Sequence, residues 1–177
     1  MEYYLYSPYE LAIIVQFYGL DVVAASQLLN DIFKYDNAFI YPEYRDNQKK
    51  FILDVMNEMS CLNNQEQFEM EKYYIEKDME QLGLLNGSEN NEDEEMVHHL
   101  VFKELRIRIL HLNQKKYAKM KLRTLLSELG YKRRSLNNIA YIRECMLFYH
   151  INVSLKGNTY CDIESVNHDD TLVFRVI

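Results

Sequence analysis

Backbone breakers are scarce in this chain, with 5 Gly and 2 Pro in 177 residues. Helices usually end where glycine permits a left-handed turn or proline removes a donor, so so few of either predict long helices. The start signals agree. Ser7, Pro8 and Glu10 combine an N-cap hydroxyl, a proline at the first helical position and a glutamate three residues after the cap, which together make a capping box. Leu11, Ile14, Val15 and Tyr18 follow at helical spacing, and Gly19 is placed to end the element. Asp21 is placed to cap a second helix with Val22, Ala25, Leu29 and Ile32 on one face. Ile52, Val55, Met56 and Met59 mark a third helix, and Phe68, Ile75, Met79 and Leu82 a fourth. Four apolar stripes predict a small helical bundle over residues 1–85. The aromatic segment 34–46, with Pro42, is expected to pack between the second and third helices rather than float.

A polar, acidic run from Gly83 to Glu95 then interrupts the pattern. It buries little, which predicts a linker over residues 86–96. Beyond it the period changes. Leu105-Arg106-Ile107-Arg108-Ile109 alternates apolar and basic residues, as a half-buried strand would. Leu122, Leu125, Leu126 and Leu129 return to helical spacing before Gly130, and Ser135 can cap a helix carrying Leu136, Ile139, Ile142 and Met146. Ile151, Val153 and Leu155 alternate again, Lys156-Gly157-Asn158 supplies a turn, and Leu172 to Ile177 reads as a final strand. The predicted fold is mainly α with a small antiparallel β element.

Charge is sorted along the chain in a way that the net charge of -7 conceals. Residues 1–100 hold 6 Lys+Arg against 20 Asp+Glu, residues 101–150 hold 12 against 3, and residues 151–177 hold 2 against 4. The blocks therefore carry -14, +9 and -2. Mixed charge would suffice for solubility, so a basic block inside an acidic protein points to an anionic partner: nucleic acid, or the acidic half of the same chain.

The order of elements after the linker, the KLRTLLSELGYKRRS stretch and the basic charge resemble a winged helix, over residues 97–177. The resemblance implies a winged-helix-like domain behind the helical bundle, acting as a non-catalytic, DNA-binding regulator. In helix-turn-helix proteins the second helix enters the major groove by its N-terminal residues while the first crosses the backbone. Lys132, Arg133 and Arg134 would then lie in the turn before that helix, within reach of phosphates. Lys115, Lys116, Lys119, Lys121 and Arg123 would extend the phosphate track, and Lys156 and Asn158 would sit at the wing tip. Asn137 and Asn138 are candidate adenine readers, and Tyr141 a phosphate or sugar contact. The expected partner is double-stranded DNA, with a protein partner or self-association through the N-terminal helices. The rival expectation is a protein-interaction module, an inhibitor or adaptor whose acidic half binds a partner.

Other features carry less chemistry. Cys61, Cys145 and Cys161 are dispersed and odd in number, which fits neither a disulfide framework nor a zinc pattern. His98-His99 diverge on either a helix or a strand, so they make a poor metal site. His168-Asp169-Asp170 reads as a turn. No phosphate-cradling glycine loop, serine elbow or two-histidine helix occurs, so neither catalysis nor a cofactor is expected. No apolar run reaches the roughly 20 residues of a membrane span, and the first ten residues lack a signal-peptide pattern. The sequence-based expectation is a cytoplasmic protein.

Overall fold

A computed structural model describes residues 4–63, 91–131, 134–157 and 161–177. The stripe from Phe68 to Leu82, residues 86–90 of the expected linker, and Lys132, Arg133 and Asn158 lie outside the described residues. The chain divides into two compact units, Met1–Met96 and Val97–Ile177.

In the first unit, α1 (Pro8–Phe17) begins with the expected capping box. The Glu10 amide donates to Ser7 Oγ at 3.2 Å, and the Ser7 amide donates to Glu10 Oε2 at 3.0 Å. Leu11 through Val15 are all buried, so this short helix is covered on more than one face. Gly19, at φ 58°, takes the left-handed turn that follows. Asp21 caps α2 (Val22–Tyr35), its Oδ1 accepting from the Ala24 amide at 2.8 Å. Ala25, Leu29 and Ile32 face the core as expected, but Val22 is exposed and Leu28 takes its place. The aromatic connection does pack: Tyr6 is buried, stacks on Phe39 at 5.8 Å and donates its hydroxyl to Asp36 Oδ2 at 2.7 Å. The third helix, α3 (Gln48–Asn63), packs on α1 and α2. Its inward residues are Phe51, Val55 and Leu62 rather than the predicted Ile52, Met56 and Met59. The turn of the helix follows Phe51, whose ring meets Phe33 and Tyr44 at 5.9 and 6.0 Å.

The helix α4 (Asn91–Ile107) starts inside the expected linker and runs on as a π-turn over Arg108–Leu112. Leu105 to Ile109 is therefore helical, not a strand. The alternation misled because a half-buried strand needs its basic residues in water, whereas Arg106 is buried and donates from Nη1 to the Tyr149 carbonyl at 2.6 Å. The strand lies further on, as β1 (Ala118–Lys121), with Ala118 and Met120 inward and Lys119 outward. Two helices follow, α5 (Leu122–Glu128) and α6 (Leu136–Phe148), then β2 (Ile151–Ser154) and β3 (Thr171–Val176). The three strands form one antiparallel sheet in the order β1-β3-β2, with Met120 opposite Leu172 and Val153 opposite Phe174. Mainly α with a small antiparallel sheet is thus the observed class. The connection between β2 and β3 is not the tight turn expected at 156–158 but the whole of 155–170.

Gly130 ends α5 at φ 72°, whereas the residue in the same role after α6 is His150, at φ 53°. A left-handed conformation strains a residue with a Cβ by roughly 1–2 kcal/mol, more than glycine loses in chain entropy. His150→Gly is therefore expected to stabilise the second unit by about 0.5–1 kcal/mol, read as a higher urea midpoint of the full chain. No gain would mean that contacts of the imidazole offset the strain.

Candidate nucleic-acid interface

The start of α6 forms as expected, with Ser135 Oγ accepting from the Asn138 amide at 3.2 Å. Ile139, Ile142, Cys145 and Met146 point into the core. Leu136, Asn137, Ala140, Arg143, Glu144 and Leu147 point outward, with Leu136 71% and Leu147 79% exposed. Asn137 thus stands in the first turn on the open face, where a base reader must be, while Asn138 is half-buried. Tyr141 is turned away from the expected position. Its hydroxyl lies 3.3 Å from His99 Nε2, and His99 Nδ1 lies 2.9 Å from the Tyr149 hydroxyl. His99 is buried in this aromatic setting, and no group of three or more His, Cys, Asp or Glu side chains among the described residues could hold a metal ion.

The cations of the basic block divide into two classes. One class serves the fold. Arg106 is buried, Arg108 pairs with Glu104 one turn earlier at 3.4 Å, and Lys116 donates to the Leu110 carbonyl. Arg134, expected at a phosphate, instead donates to the carbonyls of Ile163 and Val166 at 3.3 and 2.5 Å. Arg143, which sequence reasoning missed, ion-pairs with Asp162 and Glu164. These contacts clip the 155–170 connection onto α6, while Cys161, Ile163 and Val166 bury beneath it. Its far end meets α5: the Leu122 and Arg123 amides donate to the carbonyls of Asp170 and His168 at 3.3 and 3.0 Å. Those loop carbonyls satisfy amides that a helix start leaves without partners. No sequence sign marks Arg143's role: Leu136, expected on the apolar side with Ile139 and Ile142, is exposed instead, and Arg143, two turns further on, shares its open face.

The other class stays at the surface. Lys115, Lys119 and Lys156 are exposed and make no ion pair among the described residues. Lys119 lies over the Tyr117 ring at 5.2 Å. Lys121 and Arg123 meet Asp169 at 3.6 and 2.7 Å, but all three side chains are solvent-exposed. Exposed pairs of this kind are weak and can exchange partners. The Asp169-Asp170 turn forms as expected, with the Asn167 amide donating to Asp170 Oδ2 at 2.9 Å.

The clip has a pH signature. A hydrogen bond from the Glu164 amide at 3.1 Å, and then Arg143, hold the Asp162 carboxyl below its ordinary value of 3.8. A depressed folded value means that the contribution of the clip is present above the ordinary value and is lost as pH falls through the lower, folded one. The Glu164 amide resonance is therefore expected to titrate with a midpoint below 3.8. A midpoint at or above that value would show the clip open in solution.

No family model matches this chain, and neither the curated proteins nor the solved structures contain a match to it.

Proposed function

We propose that residues 97–177 form a winged-helix module that binds duplex DNA without catalysis. The arrangement supporting this is a strand, two helices and two further strands, with β3 between β1 and β2 and the start of α6 open to solvent. The observation that carries it is the set of cations left over. After internal pairs are discounted, Lys115, Lys119 and Lys156 remain exposed and available for phosphate, with Lys121 and Arg123 held only by a surface carboxylate. Phosphate contacts of this kind give sequence-independent affinity, and the helix start adds preference. The N-terminal unit supplies a protein-partner or self-association surface, supported by the exposed Val22, Val23, Tyr35 and Leu53.

Mutants separate the roles. Lys115→Ala and Lys119→Ala are expected to weaken binding to all duplexes alike. Asn137→Ala is expected to alter preference among duplexes, by about 1–3 kcal/mol at one base pair. Fluorescence anisotropy on a panel of duplexes reads both. A uniform loss for Asn137→Ala would remove it as a base reader.

One observation favours a second reading, a protein-interaction module. Leu136 and Leu147 leave an apolar stripe on α6, whose one arginine, Arg143, is already paired. Base-reading helices more often present polar or cationic side chains. Absence of micromolar DNA binding even in low salt would sink the DNA reading and promote this one.

A further inference from the structure

The π-turn Arg108–Leu112 and the chain entering β1 enclose an open groove of about 640 Å³, lined among others by Arg108, Asn113, Gln114, Lys115, Tyr117 and Lys119. Three of these side chains are cations. Arg108 Nε and Nη2 are buried and, apart from the Glu104 carboxylate 3.4 Å from Nε, meet no hydrogen-bonding group among the described residues. Donors left unmet in the interior are costly, and their retention calls for a ligand, an ion or a water. These two nitrogens form one edge of the guanidinium fork, the edge that matches two oxygens of a phosphate or carboxylate. The fold builds the groove with some strain. The π-turn is closed by the Asn113 amide donating to the Arg108 carbonyl at 2.7 Å, and Lys116 takes a left-handed φ of 53°. Asn113 Nδ2 then holds the Tyr117 carbonyl at 2.8 Å, fixing the chain that delivers Lys119. Single π-turns of this kind recur at functional sites.

We propose that this groove is a phosphate-binding site, in which Arg108 grips two phosphate oxygens and Lys115 and Lys119 flank the group. Glu104 opposes the anion, since its carboxylate lies 3.4 Å from Arg108 Nε. Against that single negative charge stand three positive ones, so the groove keeps a net attraction for a phosphate. A phosphodiester of bound duplex is the source that fits the module, and in that respect the proposal rests on the DNA-binding reading. The groove would then anchor one strand beside the helix pair and set the register of α6.

The test has two arms. In the first, inorganic phosphate is titrated into the full chain at constant ionic strength, and amide shifts are followed by NMR. Saturable shifts are expected from Asn113 to Lys119, weakened at least tenfold in Arg108→Gln and in Lys119→Gln, with Arg108→Lys intermediate because it keeps charge but loses the fork. Should Arg108→Gln fail to fold, Lys119→Gln carries the comparison, being an exposed side chain on an edge strand. Shifts that are absent, or unchanged in both variants, overturn the proposal. In the second arm, duplex DNA replaces phosphate, and Arg108→Gln is expected to lower affinity about tenfold and the salt slope by about one. Unchanged DNA binding alongside a positive first arm would assign the groove to a free phosphate ester. Loss of DNA binding in the unsubstituted protein would sink the DNA reading, while the first arm still decides the groove.

Discussion

Raising monovalent salt from 50 to 200 mM is expected to weaken duplex DNA binding by roughly 40- to 500-fold, from a slope of about -0.9 per neutralised phosphate over three to five phosphates. The lower bound counts Lys115, Lys119 and Lys156, unpaired among the described residues, and the upper adds Lys121 and Arg123, which can leave Asp169 for a phosphate. The gross charge of the block predicts more than this. Seen in the fold, Arg106, Arg134 and Arg143 are occupied by carbonyls or carboxylates of the same unit, so they release few counterions on binding. Anisotropy at four or five salt concentrations measures the slope directly. A slope near -9 would mean that the internal pairs open on binding, and a slope near zero would remove the phosphate track altogether.

Phe102→Ala is expected to destabilise the second unit by about 3–5 kcal/mol, the usual cost of emptying a well-packed aromatic site. Phe102 is fully buried and lies parallel to the Tyr149 ring, at 6.2 Å and 7°. Tyr149 in turn joins three contacts: its ring meets Phe102, its hydroxyl meets His99, and its carbonyl accepts from Arg106. A cavity beside it therefore loosens the junction of α4 with the end of α6. Set against a domain stability of about 5–15 kcal/mol, that loss brings the unit near its unfolding threshold. Leu147→Ala, at a site 79% exposed on the neighbouring turn, should change stability by no more than about 0.5 kcal/mol. Urea denaturation of both variants compares them, and a small effect for Phe102→Ala would mean that the site collapses around the missing ring.

Local signals account for what was legible in advance. Ser7, Asp21 and Ser135 each cap the helix that follows, because a cap is made between residues two or three positions apart and depends on little else. Gly19 and Gly130 end helices for a similar reason: only the residue itself decides whether a left-handed turn is cheap. The class of the fold follows from the same sources, together with the apolar spacing of α5 and α6. The candidate interface was legible only as a stretch of charge. Lys115, Lys119, Asn137 and Lys156 are exposed where the sequence places them at the surface, but Tyr141 turns inward to His99 and Arg134 to a loop some thirty residues later.

Those reversals share one physical cause. By itself the sequence determined where α1, α2 and α6 start and where α1 and α5 stop, that the β element is small and antiparallel, and that positive charge gathers between residues 101 and 150. Only the tertiary structure decided which cations are spent on the fold, because a buried arginine is tolerated where a distant carbonyl or carboxylate meets it, and no local pattern reveals that partner. Arg106 found Tyr149, so an alternation that reads as a strand became a helix; Arg143 found Asp162 and Glu164, so an exposed helical position became the clip of a loop. Local chemistry acts over a few residues of chain, whereas the fate of a charge is set by whatever the folded chain brings within a few ångströms of it.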